Sequence, residues 1–577
     1  MQNKSIHFIS NNILLIFLIL NILSCTQSDK KLQLYDITKS VISDSALVVS
    51  AHPLATSIGL EVIKQGGNAV DAVIAVQLAL AVCYTNAGNI GGGGFMLYRA
   101  NNGEISALDY REKASSAATT DMYLDSAGNP IAEKSLFGHL AAGVPGSVDG
   151  MVKAFEKYSK LKDWKKLVQP AVNLAAKGYK ITQREADDLN SDQALFKKYN
   201  LARTVFEKEK WKEGDLLVQK DLASTLVAIR DFGRAGFYEG SVANLIVKEM
   251  KDGGGIINLQ DLKNYQSVWR TPVTTVYRGN KIISMPPPSS GGIVLIQLLE
   301  MVEPYNLSEM KFQSAASVHV MVEAERLAYA DRSKFIGDPD FYKVPNKQLT
   351  DSNYISKRMK SFNPRQAGKS DVISHGTFES TETTHISIVD NERNAVSVTT
   401  TLNGGYGSYT VVRGAGFLLN NEMDDFSVKP GSPNMYGLIG AEANKIEPNK
   451  RMLSSMTPTI IEKDGKLKMV VGTPGGSTII TSVFQTILNV LDFGMDVDKA
   501  VQSPRFHHQW LPDVISIESD AISTQNRKML QSIGHTFKER DQIGRVEAIV
   551  VTSSGKLHGA ADRRGDDDAK GYSKIKD

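Results

Sequence analysis

The sequence predicts a mixed α/β protein, and three stretches carry that prediction. Ala55–Cys83 has helical apolar spacing at both ends, broken at Gly66-Gly67. Ser317–Arg332 is patterned as an amphipathic helix. Two β-branched runs, Thr384–Val389 and Ala395–Thr399, flank the polar turn Asp390–Asn394 and read as a β-hairpin. Just before the hairpin, Ser361–Ser380 is polar and poor in large apolar residues, the composition of a linker. No internal repeat is present.

The composition narrows the function classes. With 42% hydrophobic and 22% charged residues, the chain of 577 residues can bury a large core. Its net charge of +3 gives no support to a polyanion binder, so no nucleic-acid partner is expected. Two cysteines, Cys25 and Cys83, cannot build a disulfide framework or a Cys-based zinc site. At the N-terminus, Lys4 precedes the apolar run Ile13–Leu23, which has the length of a signal-peptide core rather than of a membrane span. Leu23-Ser24-Cys25 resembles a bacterial lipobox, with Leu23 bulkier than usual at its position. On that reading residues 1–24 are a lipoprotein signal. Cys25 is then the acylated first mature residue, and a lipid anchor is the only membrane contact of an exported, periplasmic or cell-surface protein. An ordinary cleaved signal with an incidental Cys is the alternative.

Several familiar motifs are absent. Gly368-Lys369-Ser370 lacks the upstream glycine and strand of a phosphate loop, and the Gly91–Gly94 run lacks dinucleotide-binding spacing, which leaves close backbone packing as its reading. There is no HExxH, and in Gly146-Ser147-Val148-Asp149-Gly150 the serine stands one place early for a nucleophile elbow.

Thr383 is the residue that could carry chemistry. It stands where the soft linker meets the first hairpin strand. A threonine hydroxyl is a poor nucleophile unless a base lies beside it, and its own α-amine can serve once the chain is cut before it. The hydroxyl can make that cut by attacking the carbonyl of Glu382. Taken alone, Thr383-Thr384 reads simply as the start of a strand.

The surrounding motifs favour the chemical reading. Thr383–Asp390 (TTHISIVD) resembles the start of the small subunit of the γ-glutamyltranspeptidases, a family of N-terminal nucleophile hydrolases. Asp109–Glu112 (DYRE), Met285–Gly292 (MPPPSSGG), Gly337–Phe341 (GDPDF), Asn420–Phe426 (NNEMDDF), Leu453–Met456 (LSSM) and Gly472–Ser477 (GTPGGS) resemble the same family and occur in its order. The likeness spans about residue 40 to near the C-terminus.

The resemblance implies an α+β fold, a four-layer αββα sandwich built from two subunits of one cleaved precursor. Residues 25–382 would form the large subunit, with 361–382 a flexible linker ahead of the cleavage point, and 383–577 the small one. Thr383 would be the nucleophile both for its own release from Glu382 and for attack on a γ-glutamyl amide, with Thr401 orienting it. Gly475 and Gly476 would aim backbone N–H groups at the oxyanion. Arg111, Ser454 and Ser455 would hold the substrate's α-carboxylate, and Asn403, Glu422 and Asp425 its α-ammonium. Glu422 replaces the Gln of some bacterial relatives. The Gly/Pro/Asn-rich segment 430–451 would be a lid tethered by Tyr436. The implied substrates are glutathione and γ-glutamyl amides, with water, amino acids or dipeptides as acceptors, and no cofactor or metal. A sibling amidase of the glutaryl-cephalosporin acylase kind and a non-catalytic surface lipoprotein remain the alternatives.

Overall fold

The computed structural model describes residues 34–370, 383–435 and 437–573. The signal segment, Cys25, Glu382 and Tyr436 lie outside the described residues. Two seven-stranded sheets, antiparallel between all neighbouring strands, organise the body from Ile37 onward. The first runs in the order Asp568–Tyr572, Ala46–Ser50, Thr384–Val389, Ala395–Thr401, Gly93–Arg99, Ile105–Asp109, Val268–Arg270. The second runs Ser40–Ser43, Leu557–Ala561, Glu547–Val551, Lys466–Gly472, Thr459–Lys463, Asn280–Ser284, Val273–Tyr277.

Strand periodicity explains the layering, because alternate side chains leave opposite faces of a sheet. Leu47, Val49, Phe95 and Leu97 of the first sheet pack on Ile460, Val470 and Ile549 of the second and on Met285 just past its strand Asn280–Ser284. The alternate residues Ala46, Val48, Met96 and Tyr98 instead meet the helices Pro53–Lys64, Ala69–Cys83 and Ser147–Tyr158. Ile461, Met469, Val471 and Ala548 meet Gly291–Val302, Ala315–Phe335 and Ile479–Leu491 on the far side. The result is the helix–sheet–sheet–helix sandwich implied by the resemblance.

The three sequence-predicted elements are all present. The apolar stretch from Ala55 forms two helices, Pro53–Lys64 and Ala69–Cys83. The break at Gly66-Gly67 is followed by a capping box, in which Asn68 accepts from the Asp71 amide and Asp71 accepts from the Asn68 amide. The amphipathic pattern becomes the helix Ala315–Phe335. The hairpin pairs Thr384–Val389 with Ala395–Thr401 in the register Thr384 to Thr400 and Val389 to Ala395. It lies in the middle of its sheet, with Ala46–Ser50 on one side and Gly93–Arg99 on the other. Ile386, Ile388, Val396 and Val398 face the helices. His385, Ser387, Ser397 and Thr399 therefore face the second sheet, where Ser387 donates to the Glu547 carbonyl and Ser397 to that of Val471.

The glycine run Gly91–Gly94 works by close packing. A Cβ on Gly92 would stand 2.0 Å from the carbonyl oxygen of Thr401 and 2.8 Å from Asn89 Oδ1. Backbone on one side leaves nothing to move aside. Gly92→Ala should therefore destabilise by about 1–3 kcal/mol, as overpacking of a filled interior does. Thermal unfolding at a fixed scan rate would show it as a lowered Tm.

Candidate active site

The hairpin register sets the first element of the site. With Thr384 opposite Thr400, the next pair outward is Thr383 and Thr401, on the face directed to the second sheet. Their hydroxyl oxygens lie 3.4 Å apart, and both residues are buried. Thr401 is held in turn: its Oγ1 accepts the Asn403 amide at 2.7 Å, and its carbonyl accepts Asn89 Nδ2 at 2.9 Å.

The second sheet supplies the facing loop. Strand Lys466–Gly472 ends at Thr473-Pro474, and the chain turns through Gly475 and Gly476 into the helix Ile479–Leu491. Gly475 has φ +138° and a Cβ there would stand 2.5 Å from Thr478 Oγ1; Gly476 has φ +54°. Neither amide meets a protein acceptor among the described residues. Two backbone donors thus stand at a helix start whose Gly476 lines a pocket with Thr383, an arrangement suited to a developing oxyanion.

Thr383, Thr401, Asn403 and Gly476 line one small pocket with Arg111, Glu422, Asp425, Leu438, Ser454 and Ser455. Its free volume is about 20 Å³, because charged side chains occupy the space. Arg111 follows the end of strand Ile105–Asp109 and is completely buried. Its Nη1 donates to Glu422 Oε1 and its Nη2 to Asp425 Oδ2 and, at 3.0 Å, to the Leu453 carbonyl. The residues implied for the substrate's two charged groups therefore pair with one another here. Behind them, Ser289 donates to the Met456 carbonyl and Ser290 to that of Ser454, so the Pro-rich motif holds the Leu453–Met456 segment in place. The Asn420 side chain accepts the Gly143 and Glu422 amides and donates to the Gly91 and Gly143 carbonyls, tying the acidic turn to the glycine run.

Segment 430–451 covers the acidic turn. Asn434 Nδ2 donates to Asp425 Oδ1 at 3.0 Å, the Met435 amide donates to Asp424 Oδ2, and Leu438 reaches the pocket. The expected tether, Tyr436, lies outside the described residues.

Two residues of the site were not singled out from the sequence. Arg332, buried on the helix Ala315–Phe335, donates to Ser455 Oγ at 3.0 Å and to Ser290 Oγ at 2.9 Å. Its burial lowers its pKa to about 10, so it stays cationic at neutral pH. Glu112 lies beside Arg111, with Oε2 3.5 Å from Nη1, and among the described residues neither of its carboxylate oxygens meets the geometry of a hydrogen bond. Glu112 was in plain view in the DYRE motif. Arg332 sat at the end of an amphipathic helix, where a cation reads as a helix-end charge.

The charges do not balance if every carboxyl is ionised. Burial raises the pKa of Glu112 to about 7 and drives Glu422 and Asp425 upward too, with Arg111 opposing all three shifts. The same carboxylates hold the Arg111 pKa above its usual value, outweighing the burial that would lower it. For Glu112 the folded pKa exceeds the ordinary value of 4.5, so between 4.5 and about 7 the folded chain holds a proton the unfolded chain has lost. Its contribution to stability is complete below 4.5 and is lost as the pH rises through 7. Glu112→Gln should flatten the fall of Tm across that window. A Tm–pH slope identical to that of the unsubstituted protein would contradict this account.

Two sheets between helical layers, with a threonine at the inner end of a central strand, define the N-terminal nucleophile hydrolase class. A cephalosporin acylase from Bacillus halodurans shares this fold with a TM-score of 0.84 at 24% identity, over 96% of this chain and all of that one. The model of the family described as gamma-glutamyltranspeptidase matches residues 55–572, and the chain belongs to that family. The glutathione hydrolase proenzyme of Escherichia coli strain K12 is 46% identical over 539 residues, covering 92% of this chain and 93% of that protein. That of Pseudomonas sp. strain A14 is 48% identical over 514 residues, 88% of this chain and 89% of that protein. A Helicobacter pylori gamma-glutamyltranspeptidase structure is 46% identical with a TM-score of 0.55, over 59% of this chain and 96% of that one.

Proposed function

We propose that the protein is an autoprocessed γ-glutamyltransferase and glutathione hydrolase, cut between Glu382 and Thr383 into a large and a small subunit that stay together as a heterodimer. The carrying observation is Thr383 Oγ1, 3.4 Å from Thr401 Oγ1, in one buried pocket with Arg111, Glu422, Asp425 and the Gly476 turn. Membership of the family and the proenzyme relatives support the same reading. The apolar run Ile13–Leu23 and the Leu23-Ser24-Cys25 motif support export and a lipid anchor on Cys25.

In the precursor, Thr383 Oγ1 attacks the Glu382 carbonyl carbon. The peptide nitrogen leaves with a proton, and water hydrolyses the resulting ester. The freed α-amine is then the base for the second role. It takes the Thr383 hydroxyl proton as Oγ1 attacks the γ-amide carbonyl of the substrate, and returns it to the departing amine. Gly475 and Gly476 N–H groups hold the oxyanion, a contribution of about 10²–10³ in rate per donor in comparable sites. Water or the amine of an amino acid or peptide then attacks the γ-glutamyl ester and regenerates Thr383.

A γ-glutamyl group carries one carboxylate and one ammonium. Entry of that pair would replace the internal contacts: the carboxylate takes Arg111, with Ser454 and Ser455 beside it, and the ammonium takes Asp425, Glu422 and the Asn403 side-chain oxygen. The total charge of the pocket is unchanged, which keeps the burial cost of the exchange low. A glutaryl amide lacks the ammonium and would strand the acidic turn, so the acylase reading is the weaker one. The lid segment 430–451 limits water entry.

Thr383→Ala should remain a single uncut chain on denaturing gels, whereas the native protein yields a fragment beginning Thr-Thr-His. Normal processing of that variant would remove Thr383 from the mechanism. Arg111→Ala should raise KM for a chromogenic γ-glutamyl amide by roughly 10- to 100-fold, the worth of a hydrogen bond to a charged group. Arg111→Lys, which keeps the charge but not the fork, controls for folding.

A further inference from the structure

Away from the active site, three ligand-type side chains converge that the reaction does not use. His319 and Glu323 sit one turn apart on the helix Ala315–Phe335, on the same face. His535 reaches them from the loop between the helix Thr524–Ser532 and the strand Phe537–Glu539. All three are buried, at 3%, 6% and 4% exposure. One ligand atom from each lies within 4.8 Å of the other two. His319 Nδ1 is 2.8 Å from His535 Nε2, which is 4.0 Å from Glu323 Oε1.

The tautomer of His319 is set from outside the cluster. Its Nε2 lies 2.9 Å from the Asn363 carbonyl, which can only accept, so Nε2 carries the hydrogen and Nδ1 presents its lone pair inward. A ring N–H given to a backbone carbonyl, with the other nitrogen free, is how metal-bound histidines are usually oriented. Donors about 2.0–2.1 Å from a tetrahedral zinc stand about 3.4 Å apart. The observed 2.8 Å and 4.0 Å bracket that spacing, so small side-chain rotations would close the set.

We propose that His319 Nδ1, His535 Nε2 and Glu323 Oε1 form a binding site for one divalent transition-metal ion, Zn²⁺ by ligand type, with water in the fourth position. Two imidazoles and one carboxylate suit zinc and its neighbours rather than calcium or magnesium, which take oxygen ligands. The ion would replace the proton shared by the two rings, with His535 carrying its hydrogen on Nδ1 instead. The site is structural rather than catalytic. Glu323 Oε1 also accepts the Gly368 amide at 3.1 Å, and His319 holds the Asn363 carbonyl. Nearby, Ser370 receives Arg326 Nη1 on its hydroxyl at 2.6 Å and gives its amide to Asp513 Oδ2 at 2.7 Å. The ion would therefore fasten residues 363–370 to the body, and this stretch leads toward the proposed cut before Thr383.

The test uses untagged full-length protein, stripped with a chelator, incubated with ZnCl₂ and desalted, with metal measured by mass spectrometry. About one zinc per chain is expected, with a higher Tm for the loaded than for the stripped protein. His535→Ala and Glu323→Gln should each lower zinc affinity at least 10-fold and abolish the Tm increase. Co²⁺ loading should give visible absorption of tetrahedral intensity in the native protein and not in His535→Ala. Should a variant fail to fold, the native protein alone decides the matter. Retention below a tenth of an equivalent, or octahedral Co²⁺ absorption, overturns the proposal. So does equal zinc binding by folded variants, since the ion then sits elsewhere.

Discussion

The central hairpin is the constraint on which the rest of the molecule depends. Its strands Thr384–Val389 and Ala395–Thr401 are paired on both outer edges, so its register cannot slip without moving Ile386, Ile388, Val396 and Val398 off the helical face. The same register puts Thr383 opposite Thr401 and aims both at the second sheet. The glycines at 91–94 and 475–476 exist in relation to this placement. The first group lets backbone approach the return strand, and the second turns the facing loop inward next to Thr383.

Around that scaffold the pocket is filled by internal ion pairs, which in the proposed function a substrate's charges would replace. A buried guanidinium is costly to leave unpaired, and Arg111 pairs with Glu422 and Asp425. A third carboxyl, Glu112, lies beside the same guanidinium, and its burial keeps it from ionising at its ordinary pKa although Arg111 opposes that shift. A zwitterionic group can trade places with internal ion pairs without altering the net charge, whereas an anionic group adds a charge and an apolar group leaves the parted charges without partners. Selectivity for a γ-glutamyl head would then follow from charge conservation in a buried space rather than from shape alone.

The helix Ala315–Phe335 links several parts of the molecule. Its His319, Glu323 and Arg326 meet residues 363–370, while further along it gives the Tyr329 hydroxyl to the Ser477 carbonyl and Arg332 to Ser455. An amphipathic pattern shows that such a helix packs. It does not show that two of its polar turns have separate duties, because each duty depends on partners distant in the chain, 44 or 45 residues away for 363–370 and 123 and 148 away for Ser455 and Ser477.

What the sequence determined by itself was local. Helical spacing with a glycine break specified the helices Pro53–Lys64 and Ala69–Cys83, and β-branched alternation around Asp390–Asn394 specified the hairpin, because periodicity and turn chemistry act between near neighbours. Motif resemblance supplied the αββα class and the residues gathered in the pocket. Only the tertiary structure decided that Arg111 rests on Glu422 and Asp425, that Glu112 must share their field, that Arg332 backs Ser455, and that His535 meets His319 and Glu323. Coulombic fields and ligand geometry depend on distance in space, and for these residues that distance is set by the stacking of two sheets and two helical layers, which no local pattern encodes.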